Sequence, residues 1–165
     1  PENLKGLILG GGYPELNARE LEANVSMRED IHRALNDGMP CLAECGGFMY
    51  LHDEMEAMDG NSYHMAGVIS GRAYRTQRLN RFGYVTSVVE QQTIRLMVRL
   101  AEYVRLVLNL VQVKLLWTAS HRKWNCIHGT DTMMAGFPHL YFYGNPKVPE
   151  AFLRKCSQYG RQDAR

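Results

Sequence analysis

Gly6-Leu7-Ile8-Leu9 is a short apolar run that stops at Gly10-Gly11-Gly12, and Cys41-Leu42-Ala43 is a second that stops at Glu44-Cys45-Gly46-Gly47. Each reads as a buried strand feeding a tight glycine turn. A punctuated helix lies between them. Ser26 followed by Glu29 matches a capping box, and Met27, Ile31, Ala34 and Leu35 fall on one apolar face. Gly38 is a C-terminal stop, and Pro40 prevents continuation. After the second turn, Phe48 to Met58 reads as another helix. The order strand, helix, strand, helix predicts an α/β fold with a parallel sheet. The first strand begins six residues into the chain, where a doubly wound sheet built around it would need neighbours upstream.

The rest of the chain is less periodic. Between Tyr63 and Tyr84, the basic residues Arg72, Arg75, Arg78 and Arg81 recur at spacing three. They read either as a solvated face or as a surface meeting an anionic substrate or a partner domain. From Gln91 to Trp117, polar residues recur every three or four positions, which scores as a long amphipathic helix. Gly136-Phe137-Pro138-His139-Leu140-Tyr141-Phe142 precedes a Gly144-Asn145-Pro146 turn, and a final amphipathic helix is expected from about Pro149 to Cys156.

Composition excludes several classes. The 165 residues suit one domain, 45% hydrophobic and 22% charged residues suit a packed core, and a net charge of +2 argues for neither nucleic acid nor a membrane surface. No run of about 18 uncharged apolar residues marks a spanning helix. The N-terminal residues do not form a signal peptide. Cys41, Cys45, Cys126 and Cys156 have no paired spacing, which argues against a disulfide framework or a zinc site and for a reducing, cytoplasmic setting.

Cys45 is the candidate for chemistry. A helix N-terminus favours the thiolate, and Gly46 and Gly47 allow a sharp turn that exposes the sulfur, as in a nucleophile elbow. The Gly46 N–H and an N–H from the Gly10–Gly12 loop could together form an oxyanion hole. The competing reading is a small buried hydrophobe, which holds for most free cysteines and applies to Cys41, Cys126 and Cys156. A nucleophilic cysteine needs a base, usually histidine. His32 and His52 fall on expected helix surfaces, and His64, His121 and His128 have no local signature. His139, in its aromatic segment ahead of a turn, is the best placed of the six.

At these residues the chain resembles the glutamine amidotransferase domain of the cobyrinic acid a,c-diamide synthases. Gly6–Glu15 read GLILGGGYPE against the family's GLLLGGG-Phe/Tyr-PE, and Ala23–Arg28 match Ala-Asn-x-Ser-Met-Arg. Ala43–Leu51 match Ala-Glu-Cys-Gly-Gly-x-Met-Tyr-Leu, and Thr76–Tyr84 match Thr-x-Arg-Leu-x-x-x-Gly-Tyr. Phe137–Phe142 correspond to Tyr-x-His-Leu-x-Phe before the Asn145-Pro146 turn. The likeness covers about residues 5–86 and 133–156.

The resemblance implies a flavodoxin-like, three-layer fold of the class I glutamine amidotransferase type, N-terminally truncated by its first strand–helix–strand unit. It implies Cys45 as nucleophile and His139 as the histidine that activates it. Gly11, Gly12 and Gly46 are then the inferred oxyanion and substrate contacts, with no metal. Glutamine is the implied substrate. The ammonia would pass to a synthetase domain that binds cobyrinic acid and uses ATP and Mg²⁺, and that domain is absent from this chain. No cofactor is expected in the chain itself.

The chain departs from the family at about residues 87–120, where a glycine-rich turn and Glu-Phe-His-Tyr-Ser are usual. A shift of reading frame would account for this, since Gln92–Leu96 and Leu108–Leu110 have codons permissive for family residues. Triad amidotransferases also carry His-x-Glu, whereas His139-Leu140-Tyr141 offers no acid, so no third member is assigned. Two further readings stay open. One is an inert fragment or docking subunit of such a synthase. The other is a relative serving hydrogenobyrinic acid or nickel sirohydrochlorin.

Overall fold

The computed structural model describes the backbone of residues 3–76, 83–87, 97–100, 104–107, 113–118 and 123–162, with side chains over 3–76 and 127–160. Strands β1 (Leu7–Leu9) and β2 (Cys41–Glu44) flank helices α1 (Ala18–Ala23) and α2 (Val25–Asn36), and α3 (Gly46–Tyr50) follows β2. Next come β3 (His52–Glu56), β4 (Ser62–His64), β5 (Ile69–Arg75), β6 (Gly83–Ser87), β7 (Met97–Leu100), β8 (Val104–Val107) and β9 (Val113–Thr118). The chain closes with β10 (Lys123–Gly129), β11 (Met133–Gly136), β12 (His139–Leu140) and α4 (Lys147–Gln162). Among the described residues, no helix is long and apolar enough to cross a membrane.

Eight of these strands form one sheet in the order β1-β2-β11-β10-β9-β6-β7-β12, and β4-β3-β5-β8 form a second. The expected parallel sheet is present where the glycine turns sit: β2 pairs in parallel with β1 on one side and with β11 on the other. The strands beyond β11 run antiparallel. β12 starts three residues after β11 ends, yet it pairs with β7 at the far end of the order. Three residues span at most about 10 Å, so the sheet must curl until its far edge returns to the middle.

Helix α2 shows how local signals are resolved. Its cap is Asn24, whose side chain accepts from Met27 N, and Ser26 Oγ only donates to Asn24. The expected capping box at Ser26 and Glu29 is therefore replaced by a cap two residues earlier. Ile31 and Leu35 are buried as the apolar face requires, while Met27 stays 42% exposed. At the other end, Gly38 takes φ +88, Gly38 N bonds Leu35 O, and Met39 N bonds Ala34 O. This is a Schellman ending, and it satisfies two of the last carbonyls of the helix.

Three expectations are corrected. The helix expected over Phe48–Met58 ends at Tyr50, and His52–Glu56 become a strand with His52 and Met55 buried. Its two buried residues, His52 and Met55, are three positions apart, so it is pairing with β4 and β5, across a register shift between His52 and Glu54, that makes it a strand. His52 is consequently not a surface residue: it is fully buried, and its Nδ1 meets Phe48 O at 2.8 Å. The long helix expected over Gln91–Trp117 is absent from the described part of that segment, where Met97–Leu100, Val104–Val107 and Val113–Thr118 are strands. The apolar residues there are mostly valine and leucine at short range, and ladder partners on β6, β5 and β10 override the helical spacing. The intervening residues lie outside the described ones.

The core sits under α3. Phe48 packs edge-on against both His52 and Phe137, and Leu51 and Met55 are fully enclosed. Each such side chain stabilises the fold by about 1.5–3 kcal/mol of removed apolar surface. That packing anchors the turn between β2 and α3.

Candidate active site

Cys45 stands at that turn with φ 49 and ψ −109, one of two non-glycine residues with positive φ among those described. An L-residue held there is strained by about 1–3 kcal/mol, which surrounding structure must oppose. The opposition is visible. Cys45 N donates to Gly136 O at 2.8 Å, Met49 N donates to Cys45 O at 3.0 Å, and Gly47 N donates to Gly10 O at 3.1 Å. The turn is thus tied to β11, to its own helix and to the triple-glycine loop.

The glycines after Cys45 have a different reason from the one the sequence suggests. The positive φ falls on Cys45 itself, while Gly46 and Gly47 are needed for close approach. A Cβ on Gly46 would lie 2.7 Å from Gly12 O and from Pro14 Cδ, and one on Gly47 would run into the Leu9 backbone. The turn therefore presses directly onto the loop after β1. The backbone N–H groups of Gly12 and Gly46 lie near enough to the Cys45 thiol to favour its ionised form.

The thiol's balance runs opposite to the helix-terminus expectation. Burial pushes the Cys45 thiol up from 9.0, the Gly46 and Gly12 N–H groups oppose that, and the Glu15 and Glu44 carboxylates add to the rise. The reason is physical: α3 has five residues, so its dipole is small, and the sulfur is mostly desolvated. At rest this group is a thiol.

His139 opens β12, and its ring lies on the Gly11 backbone. A Cβ at Gly11 would collide with Cε1 and stand 3.2 Å from Nδ1 and 3.3 Å from Nε2. The three glycines of the loop thus divide their contacts: Gly10 accepts from Gly47 N, Gly11 backs the imidazole and Gly12 lies by the thiol. Cys45, His139, Gly11, Gly12 and Gly46 converge on one place, partly open to solvent.

Sequence reasoning missed Glu44. Its Oε2 lies 3.5 Å from His139 Nδ1, and its Oε1 accepts from Leu140 N at 3.0 Å. A signal existed, since Glu44 adjoins Cys45, but only the pairing of Gly136 with Glu44 brings β12 over it. Of the other histidines, His32 is tied to Ala66 O, and His128 is half-buried with a pKa lowered by burial. His64 is exposed, and His121 lies outside the described residues. Arg72 lies over the Tyr74 ring and bonds Ser62, and Arg75 reaches toward Met58 O, so these two line the small sheet. Arg78 and Arg81 lie outside the described residues. Among the described residues, no group of three or more His, Cys, Asp or Glu could hold a metal ion.

Comparisons with known proteins place the chain in a family. Residues 1–96 match the family described as CobB/CobQ-like glutamine amidotransferase domain. The chain is 33% identical over 170 residues to a cobyrinate a,c-diamide synthase of Caldanaerobacter subterraneus, covering 98% of this chain and 38% of the relative. It is 38% identical over 157 residues to the enzyme of that name from Picrophilus torridus, covering 92% of this chain and 34% of the relative. The chain thus spans little more than a third of the length of these relatives. A solved glutamine amidotransferase shares the fold with a TM-score of 0.63 at 15% identity, over 94% of this chain and 81% of that one. On the family match over more than half its length, the chain belongs to the CobB/CobQ-like glutamine amidotransferase domains.

Proposed function

We propose that this domain hydrolyses glutamine through a thioester on Cys45 and supplies the ammonia to an ATP-dependent amidation. The observation that carries the reading is the strained Cys45 turn, with the amides of Gly12 and Gly46 at the sulfur and the His139 imidazole on the adjoining Gly11.

The chemistry follows from those parts. His139 takes the thiol proton as the sulfur bonds to the side-chain carbonyl carbon of glutamine. The carbonyl oxygen becomes an oxyanion, which the Gly12 and Gly46 N–H groups are placed to receive; one such donor is worth about 3–4 kcal/mol of barrier. The imidazolium then returns its proton to the amide nitrogen as the carbon–nitrogen bond breaks, and ammonia leaves. A water, deprotonated by the same imidazole, attacks the thioester, and glutamate and the free thiol result. Because burial holds the resting sulfur protonated, the base is essential to the first step.

The relatives' name, and the third of their length that the chain spans, support a larger synthase whose remaining part binds the acceptor. In this reading that part holds ATP and Mg²⁺, and the acceptor carboxylates are the a and c groups of cobyrinic acid. No step in this chain runs through either group. The test is ammonia release from glutamine by the purified chain and by its Cys45→Ser variant. Loss of release on substitution is the expected result. Undiminished release by a folded Cys45→Ser protein would falsify the proposal.

A further inference from the structure

We infer that Glu44 is the acid that orients His139, so that the residue just before the reactive cysteine supplies the third member that the His139-Leu140-Tyr141 segment lacks. The inference rests on the glutaminase reading above. The geometry has three parts. Glu44 closes β2, and its partner Gly136 on β11 is three residues before His139, so both groups leave the same end of two paired parallel strands. Glu44 Oε1 is pinned by the Leu140 amide at 3.0 Å, the residue next to His139. With that oxygen fixed, Oε2 is held 3.5 Å from Nδ1. This is longer than the usual N–H···O distance of about 2.9 Å, as catalytic hydrogen bonds often are before substrate binds.

The consequence concerns the proton's position on the ring. A carboxylate only accepts, so Nδ1 facing Glu44 carries the hydrogen, and Nε2 keeps its lone pair. Nε2 is then the nitrogen that can take the Cys45 proton. The Glu44 carboxylate also stabilises the imidazolium formed in that step. Gly11 blocks the ring from behind, and a side chain there would force it off the acid. Glu44 touches no reacting atom, so it is a positioning residue.

Glu44→Gln separates this role from a purely structural one. Glutamine keeps an oxygen for the Leu140 amide but can place an NH₂ toward Nδ1, which reverses the preferred tautomer. The measurements are the ¹⁵N shifts of the His139 ring and the kinetics of glutamine hydrolysis, on the full chain. The expected result is Nδ1–H in the unaltered protein, a shift toward Nε2–H in Glu44→Gln, and kcat lowered about ten- to a hundredfold with KM little changed. Glu44→Asp, which restores the carboxylate, should recover the Nδ1–H signature in part. A His139 tautomer identical in the unaltered and Glu44→Gln proteins overturns the inference, whether or not kcat falls. If the unaltered chain releases no ammonia, the glutaminase reading fails, and the tautomer comparison alone then decides the pairing.

Discussion

Nδ1 of His139 lies 3.5 Å from Oε2 of Glu44, although the two residues are 95 positions apart in the chain. The parallel register of β2 and β11 creates that proximity, one position from Cys45.

Replacing Cys45 with alanine should lower glutamine hydrolysis by roughly 10³-fold or more, as loss of a covalent nucleophile does. The fold should be retained or slightly stabilised, because alanine lacks the buried thiol but still adopts the strained φ. Circular dichroism and an ammonia assay check both halves. Unchanged ammonia release would assign the reaction to another residue.

The reactivity of Cys45 should rise late with pH. Burial raises its pKa above 9.0, so the thiolate fraction near neutrality is smaller than in an ordinary cysteine. In a Cys156→Ser background, the iodoacetamide rate at Cys45 should show a midpoint above 9.0 in the absence of glutamine. A midpoint below it would mean that the two amides outweigh desolvation.

Gly11→Ala should lower kcat by about a hundredfold while the fold persists, since the nearest atoms the new methyl meets are those of the His139 ring, which it displaces. Gly46→Ala should act on stability instead, by about 2 kcal/mol or more, because its methyl meets the Gly12 carbonyl and Pro14. Paired kcat values and urea midpoints separate the two effects.

Acid should weaken the fold through His52. Its pKa is lowered from 6.5 to about 4, first by burial, and its Nε2 has no hydrogen-bond partner among the described residues. The unfolded chain therefore binds the proton more readily between those values. The stabilisation is fully present above 6.5 and is lost as pH falls toward about 4, by about 3 kcal/mol in all. His52→Phe should flatten urea-derived stability across this window. An equal slope in both proteins would place the acid sensitivity elsewhere.

Burial at Cys41 acts at the other end of the scale. Its thiol is pushed up from 9.0 to about 12, so its contribution is intact below 9.0 and is lost as pH rises through about 12. Cys41→Ala should reduce the alkaline loss of stability above that lower value.

Particular residues show where reading the sequence stopped. Leu7–Leu9, Cys41–Glu44, the α2 face and its Gly38 ending were legible because each depends on neighbours within a few positions. The strand at His52–Glu56 was not, because its buried His52 and Met55 are three positions apart and read equally as the tail of a helix. Pairing with β4 and β5 settled that choice. The segment from 91 to 117 failed for the same reason on a larger scale.

The sequence by itself determined the two strand-to-glycine turns, the cysteine at the second of them and the histidine far downstream. Those are local signals, written in residue type and spacing. Tertiary structure decided which backbone amides face the sulfur, which acid meets the imidazole and whether the thiol rests protonated. Each of these depends on distances across the β1–β2–β11 ladder and on how much water the packed core excludes, and no short stretch of chain encodes either quantity.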